Sequence, residues 1–133
     1  MNVQSIKSIA VAVAVAVLVA GTAMADDAPA KASKWQVDFI GQAASDGEMQ
    51  FRVTPHAGEP ILVTTKIHSG CGQMCLAQGV RESFKNQLPK GHFRAEVHQN
   101  DRLYLRALPG EEAFLLELVQ SSVEGSRILV KVG

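Results

Sequence analysis

Cysteine is nearly missing from this sequence, which has only Cys71 and Cys75 in a chain of 133 residues. Two thiols cannot build the multi-bridge framework that replaces a core in cystine-dense miniproteins, so apolar burial must hold most of the fold. An excess of charge of either sign is missing too, with 13 Lys+Arg against 13 Asp+Glu interspersed along the chain. A nucleic-acid or anionic-membrane surface is expected to show a concentrated basic stripe, and the linear order contains none. Catalytic signatures are equally scarce. Ser121, Ser122 and Ser126 lack a Gly-x-Ser-x-Gly elbow and have no histidine C-terminal to them, and no phosphate-cradling glycine loop occurs. Internal repeats are also lacking. These absences point away from an enzyme and from a nucleic-acid partner.

What is present begins with an address. Lys7 and the amino terminus give a weakly positive start, residues 9–21 form an apolar run, and Ala23-Met24-Ala25 closes it. That is the pattern of a secretory signal peptide over residues 1–25, cleaved after Ala25. The run is shorter than the roughly 18 to 20 apolar residues that cross a bilayer, and no cysteine follows it to carry a lipid. The expected product is a soluble periplasmic or secreted protein with no stable membrane anchor, long enough for one domain with a modest core.

Residues 26–34 carry no large apolar group and are expected to form a flexible leader, with the domain occupying 35–133. Trp35, Val37 and Phe39 alternate with polar residues, as do Met49, Phe51 and Val53 beyond the Ser45-Asp46-Gly47 turn. Pro55 to Pro60 is a loop, after which Ile61, Val63, Thr65 and Ile67 share one strand face and His68 falls on the other. Leu76, Val80, Phe84 and Leu88 then recur every fourth position, the spacing of an apolar helix stripe, before Pro89-Lys90-Gly91 stops it. Phe93, Ala95 and Val97, then Leu103, Leu105 and Ala107, make a hairpin about Asn100-Asp101. Pro109-Gly110-Glu111-Glu112 turns the chain into a strand at 113–119, and Ile128, Val130 and Val132 form the last. The order is β-β-β-α-β-β-β-β. It predicts an α+β domain with a mostly antiparallel sheet and one amphipathic helix packed on a face.

From Glu48 to Val132 this pattern resembles the small β-α-β-β modules inserted in flagellar hook and phage tail proteins. The likeness lies in a strand pair, a helix entered through Ser69-Gly70, and a turn and strand of the form Asn100-Asp101-Arg102-Leu103-Tyr104-Leu105. The next strand follows a glycine-containing turn, Pro109-Gly110-Glu111-Glu112-Ala113-Phe114. The resemblance implies a structural or interaction module with no catalytic residues to carry over. Here the domain stands alone, is exported, and places cysteines at the helix entrance.

Chemistry concentrates in His68-Ser69-Gly70-Cys71-Gly72-Gln73-Met74-Cys75. In an oxidising compartment Cys71 and Cys75 are expected to form a disulfide. Four positions of regular helix rise roughly 6 Å, too far for the β-carbons to meet at roughly 3.5 to 4.5 Å, so the helix should begin after Cys71, with Gly70 and Gly72 giving the backbone its freedom. So small a loop contributes at most about 2 kcal/mol and serves chiefly to fix the helix entrance. A second reading takes His68, Cys71, Met74 and Cys75 as a soft set of imidazole, thioether and thiolates suited to Cu(I), with copper as the cofactor. The spacing resembles the Cys-x-x-x-Cys of thioredoxin-like periplasmic copper-handling proteins, without their proline beside the first cysteine. A third makes the pair a thiol-redox switch, its thiolate favoured by the helix N-terminus. His92 and His98 share a strand side but stand about 20 Å apart by strand rise, too far to ligate one ion. Glu111 and Glu112 read as solvated turn carboxylates. The partner expected is a protein, or a second copy joined through an exposed edge at residues 49–53 or at the last strand.

Overall fold

The structure, a computed structural model, describes residues 30–99 and 101–133. The signal segment expected over 1–25 and residues 26–29 of the leader lie outside the described residues. In chain order the elements are β1 (Lys34–Gly41), β2 (Gly47–Thr54), β3 (Ile61–Ile67), α1 (Gln73–Gln87), β4 (Phe93–His98), β5 (Arg102–Ala107), β6 (Leu115–Ser121) and β7 (Ser126–Val132). This is an α+β domain in the order that the apolar periodicities predict.

Each strand follows from its alternation. Trp35, Val37 and Phe39 of β1, Met49, Phe51 and Val53 of β2, Val63, Thr65 and Ile67 of β3, and Leu103 and Leu105 of β5 are all buried, because residues two apart project from the same face. At the Pro109-Gly110 turn the Glu111 N–H donates to the Leu108 carbonyl at 2.9 Å. That closes a four-residue turn with proline and glycine at its two centres.

The strands form two antiparallel sheets where one was expected: a four-stranded sheet ordered β4-β5-β1-β7 and a three-stranded sheet ordered β3-β2-β6. One reason is local. Gly41 ends β1 at φ 90 and the chain leaves the sheet there, so β2 founds a second layer instead of pairing with β1. The other is areal: a helix of 15 residues cannot cover the apolar side of seven strands, whereas two sheets cover one another. Phe39, Leu103 and Leu105 from the first sheet and Met49, Phe51, Val53 and Leu116 from the second belong to one buried cluster with Leu76, Val80 and Phe84 of the helix. The Phe84 ring meets Phe51 edge to face, centroids 5.5 Å apart, a favoured aromatic geometry.

Several boundaries differ from expectation. The helix stripe includes Ala77 beside Leu76, Val80 and Phe84, whereas Leu88 is the extended C-cap residue and is buried from outside the helix. The next-to-last strand starts at Leu115, and Phe114 instead bridges to Ala32. Each of these two residues donates its N–H to the other's carbonyl at 2.9 Å, so the segment expected as leader over 26–34 already carries paired backbone at Ala32. Backbone pairing needs no large side chain, which is why composition missed it. Residues 49–53 are no edge: β2 is central, bonded to β3 over Gly47–Val53 and to β6 over Met49–Thr54. The last strand, β7, does lie at a sheet end.

Candidate functional site

An antiparallel up-and-down course sends every other connection to the same end of the domain. Loops 42–46, 68–72 and 122–125 meet at one end, and segments 55–60, 88–92 and 108–114 at the other. The two ends have different chemistry.

At the first end the Cys71 and Cys75 sulfurs lie at bonding distance, with their Cα atoms 5.2 Å apart, inside the range a disulfide spans. The pair suits an oxidising compartment. The helix begins at Gln73, with Gly72 as an N-cap that makes no side-chain bond, so Cys71 stands outside regular helix. Only one of the two flanking glycines uses glycine's freedom. Gly70 has φ 93, whereas Gly72 at φ -82 and ψ -172 is in extended backbone open to any residue. Around this entrance Ala43 donates its N–H to Cys71 O and accepts from Gly70 N–H, both at 2.8 Å. The Ser69 N–H donates to Asp46 Oδ1 at 2.7 Å. Loop 42–46 also reaches the β6–β7 turn, where Ala44 N–H donates to Glu124 O at 2.7 Å.

Cys71 is buried, but Cys75, Met74 and His68 are exposed. Met74 is 49% exposed. Among the described residues no group of three or more His, Cys, Asp or Glu is gathered as a metal site. The His68 carbonyl accepts the Cys71 N–H at 3.2 Å, so His68 adjoins the pair through its backbone. In the bonded form the sulfurs also offer no thiolate, the form that ligates soft metals.

The far end holds a cavity that no local sequence pattern marks. Its volume is about 310 Å³, and it is floored by Ile61, Phe93 and Phe114 and flanked by Pro55 and Pro89. The Phe93 and Phe114 rings meet edge to face with centroids 5.0 Å apart. Two histidine–carboxylate contacts stand on its rim: His56 Nε2 to Glu112 Oε1 at 3.1 Å and His92 Nδ1 to Glu111 Oε1 at 3.0 Å. Glu111 and Glu112, solvated turn carboxylates by sequence, are each paired, and His92 lies on this rim beyond the start of β4. The signal that could have found the site is loop parity, because His56, His92 and Glu111-Glu112 follow successive connections on the same end. The cavity and the disulfide sit at opposite ends of α1, roughly 20 Å apart along its axis.

Between them, on β4, Glu96 stands 3.0 Å from Arg94 Nε, 3.5 Å from Arg106 Nη2 and 3.5 Å from His98 Nε2. Burial pulls its carboxyl up, but the hydrogen bond to His98 and the charges of Arg106 and Arg94 outweigh that and hold it below its ordinary value. Among the described residues, no helix is long and apolar enough to cross a membrane. No protein-family model matches the chain, and no match was found among curated proteins or solved structures.

Proposed function

We propose that the protein is an exported, non-catalytic binding module whose recognition site is the cavity at the C-terminal end of α1. The cavity itself carries the reading. Its volume, about 310 Å³, falls in the range of small-ligand sites, and an apolar floor under a few polar groups is how such sites separate affinity from orientation. The ligand class this favours has a compact apolar body to cover Ile61 and Phe93, which rest on the buried Phe114 ring, and a hydrogen-bonding head to meet the His56–Glu112 and His92–Glu111 pairs. In this reading the helix is packed on the sheets as a spacer between the two ends, supported by the contact of Phe84 with Phe51, and the disulfide fixes its entrance. Export rests on the signal-like segment and on the cysteine pair. An architectural role of the kind served by the hook and tail modules is the structural form of the same proposal.

The test is amide chemical-shift mapping with benzylamine and benzyl alcohol as probes. Shifts confined to Ile61, Phe93, Phe114 and the two rim histidines are expected, and weaker binding of benzylamine to Glu111→Gln. Perturbation elsewhere, or none with either probe, overturns the reading.

One observation favours a second reading. Cys75, Met74 and His68 are exposed, so on reduction the entrance would present thiolates to a soft metal such as Cu(I) or to an oxidant. Intact mass of the natively purified protein, with and without reduction and alkylation, separates the two. A two-hydrogen deficit with no labelling before reduction fits the staple, whereas free thiols or retained copper make residues 68–75 the functional site.

A further inference from the structure

The linear sequence has no basic stripe, but the sheet builds one. On the four-stranded sheet Val37, Phe39, Leu103 and Leu105 face the core, so the alternate residues form its outer face. Register sets these residues in rungs. Arg94 lies opposite Arg106, and Arg106 opposite Lys34; Glu96 lies opposite Tyr104, Tyr104 opposite Gln36, and Gln36 opposite Lys131. His98, Arg102, Asp38 and Leu129 form the next rung, and Ile40 with Arg127 the last. One face therefore carries six basic side chains, namely Lys34, Arg94, Arg102, Arg106, Arg127 and Lys131, against the acids Glu96 and Asp38. The whole chain is balanced at 13 of each sign.

The two acids do not cancel this surplus. Glu96 is shared by Arg94 and Arg106, and Asp38 by Arg102 at 3.4 Å and Lys131 at 3.5 Å. The first rung sets three cations side by side with no acid among them. Like charges directly opposite on neighbouring strands destabilise a sheet, an effect that Glu96 offsets for Arg94 and Arg106 from the next rung. Lys34, Arg94, Arg127 and Lys131 are exposed. Among them stand two exposed apolar side chains, Ile40 at 40% and Leu129 at 42%.

We infer that this outer face docks on an anionic phospholipid bilayer surface. Basic side chains are attracted by the negative surface potential, while neighbouring apolar groups enter the interface, and the two effects add. A nucleic acid fits the face less well. Tyr104 is the one aromatic on it, and its ring is already engaged by the Lys34 ammonium at 4.4 Å and by His98 edge-on. Ile40 and Leu129 would also meet nothing apolar on a polyanion backbone. This inference goes beyond the cavity reading and stands or falls without it.

The test is cosedimentation of the purified protein with vesicles of phosphatidylcholine containing phosphatidylglycerol, against phosphatidylcholine alone. Binding only to the anionic vesicles, weakened by added salt, is expected. Arg94→Gln together with Arg106→Gln should weaken it by roughly fivefold per charge removed. Leu129→Ser should weaken it while leaving the salt dependence unchanged. Lys66→Gln with Lys85→Gln, which remove the same charge elsewhere, should bind as the parent does. Circular dichroism and urea midpoints confirm that each variant is folded, and Arg127→Gln repeats the test at a position outside the Glu96 network. Equal loss in the Lys66/Lys85 pair, equal binding to neutral vesicles, or binding to a DNA oligonucleotide but not to vesicles overturns the inference.

Discussion

Thr65 carries a hydroxyl into the core: the residue is 3% exposed, and its Oγ1 has no hydrogen-bond partner among the described residues. A buried hydroxyl without a partner keeps its desolvation cost, so Thr65→Val, similar in shape and free of that group, is expected to stabilise the domain by about 1 kcal/mol. Urea unfolding reads this as a higher midpoint at unchanged slope, and a lower midpoint would mean that the hydroxyl is satisfied. The sequence placed Thr65 on the buried face of its strand but had no means of showing that its hydroxyl goes unmatched. Gly125 is the opposite case, a residue that must stay small. It sits at φ +88, and a Cβ there would lie 2.5 Å from Gln42 O and 2.9 Å from Ala44 Cβ. Gly125→Ala is expected to cost about 1–3 kcal/mol, through left-handed backbone and loss of the close approach between two loops. A thermal-unfolding shift smaller than that of a surface substitution would show that the loops separate freely. Nothing local marks Gly125, because the partner it must accommodate lies about eighty positions away in the chain.

At the scale of elements, α1 contains one residue that works against it. Gly79 lies in the second turn, and a Cβ there would meet Thr65 Cγ2 at 3.7 Å and Ile67 Cδ1 at 3.9 Å, ordinary contact distances. Gly79→Ala is expected to gain about 0.5–1 kcal/mol from helix propensity, seen as a higher unfolding midpoint. Because Gly79 faces Thr65, its combination with Thr65→Val should be measured directly and not summed. The helix also manages a sheet edge. Gln87 accepts the Thr64 N–H at 2.9 Å and donates Nε2 to the Thr64 carbonyl at 2.8 Å. Its amide thus imitates a paired strand on the outer side of β3, one way an edge is blunted against other chains. The helix was legible because Leu76, Val80 and Phe84 repeat at its period. The Gln87 clamp was not, because it joins elements 23 positions apart through a residue type common on any helix surface.

Across the whole molecule, charge is the property the fold rearranges most. Glu96, held below its ordinary 4.5 by His98, Arg106 and Arg94 against the opposing pull of burial, is a carboxylate with a depressed folded-state pKa. Such a group contributes stability that is present above its unfolded value and is lost as the pH falls from there through the folded one. Glu96→Gln is therefore expected to flatten the acid limb of the stability profile below that value. Urea midpoints measured from neutral pH downward check this, and parallel limbs for parent and variant would refute it. By itself, the sequence determined the element order, the α+β class, the buried alternation, the apolar helix stripe and the closeness of Cys71 to Cys75. Each of these depends on side-chain periods or spacings within a few residues, where local geometry leaves few choices. Only the tertiary structure decided that the strands divide into two sheets, that β2 is central, and that Ala32 pairs with Phe114. It also decided that His56, His92, Glu111 and Glu112 ring one cavity, and that six scattered basic residues share a face. Those outcomes depend on register and on which faces must cover one another, and they bring together residues that nothing in the linear order relates.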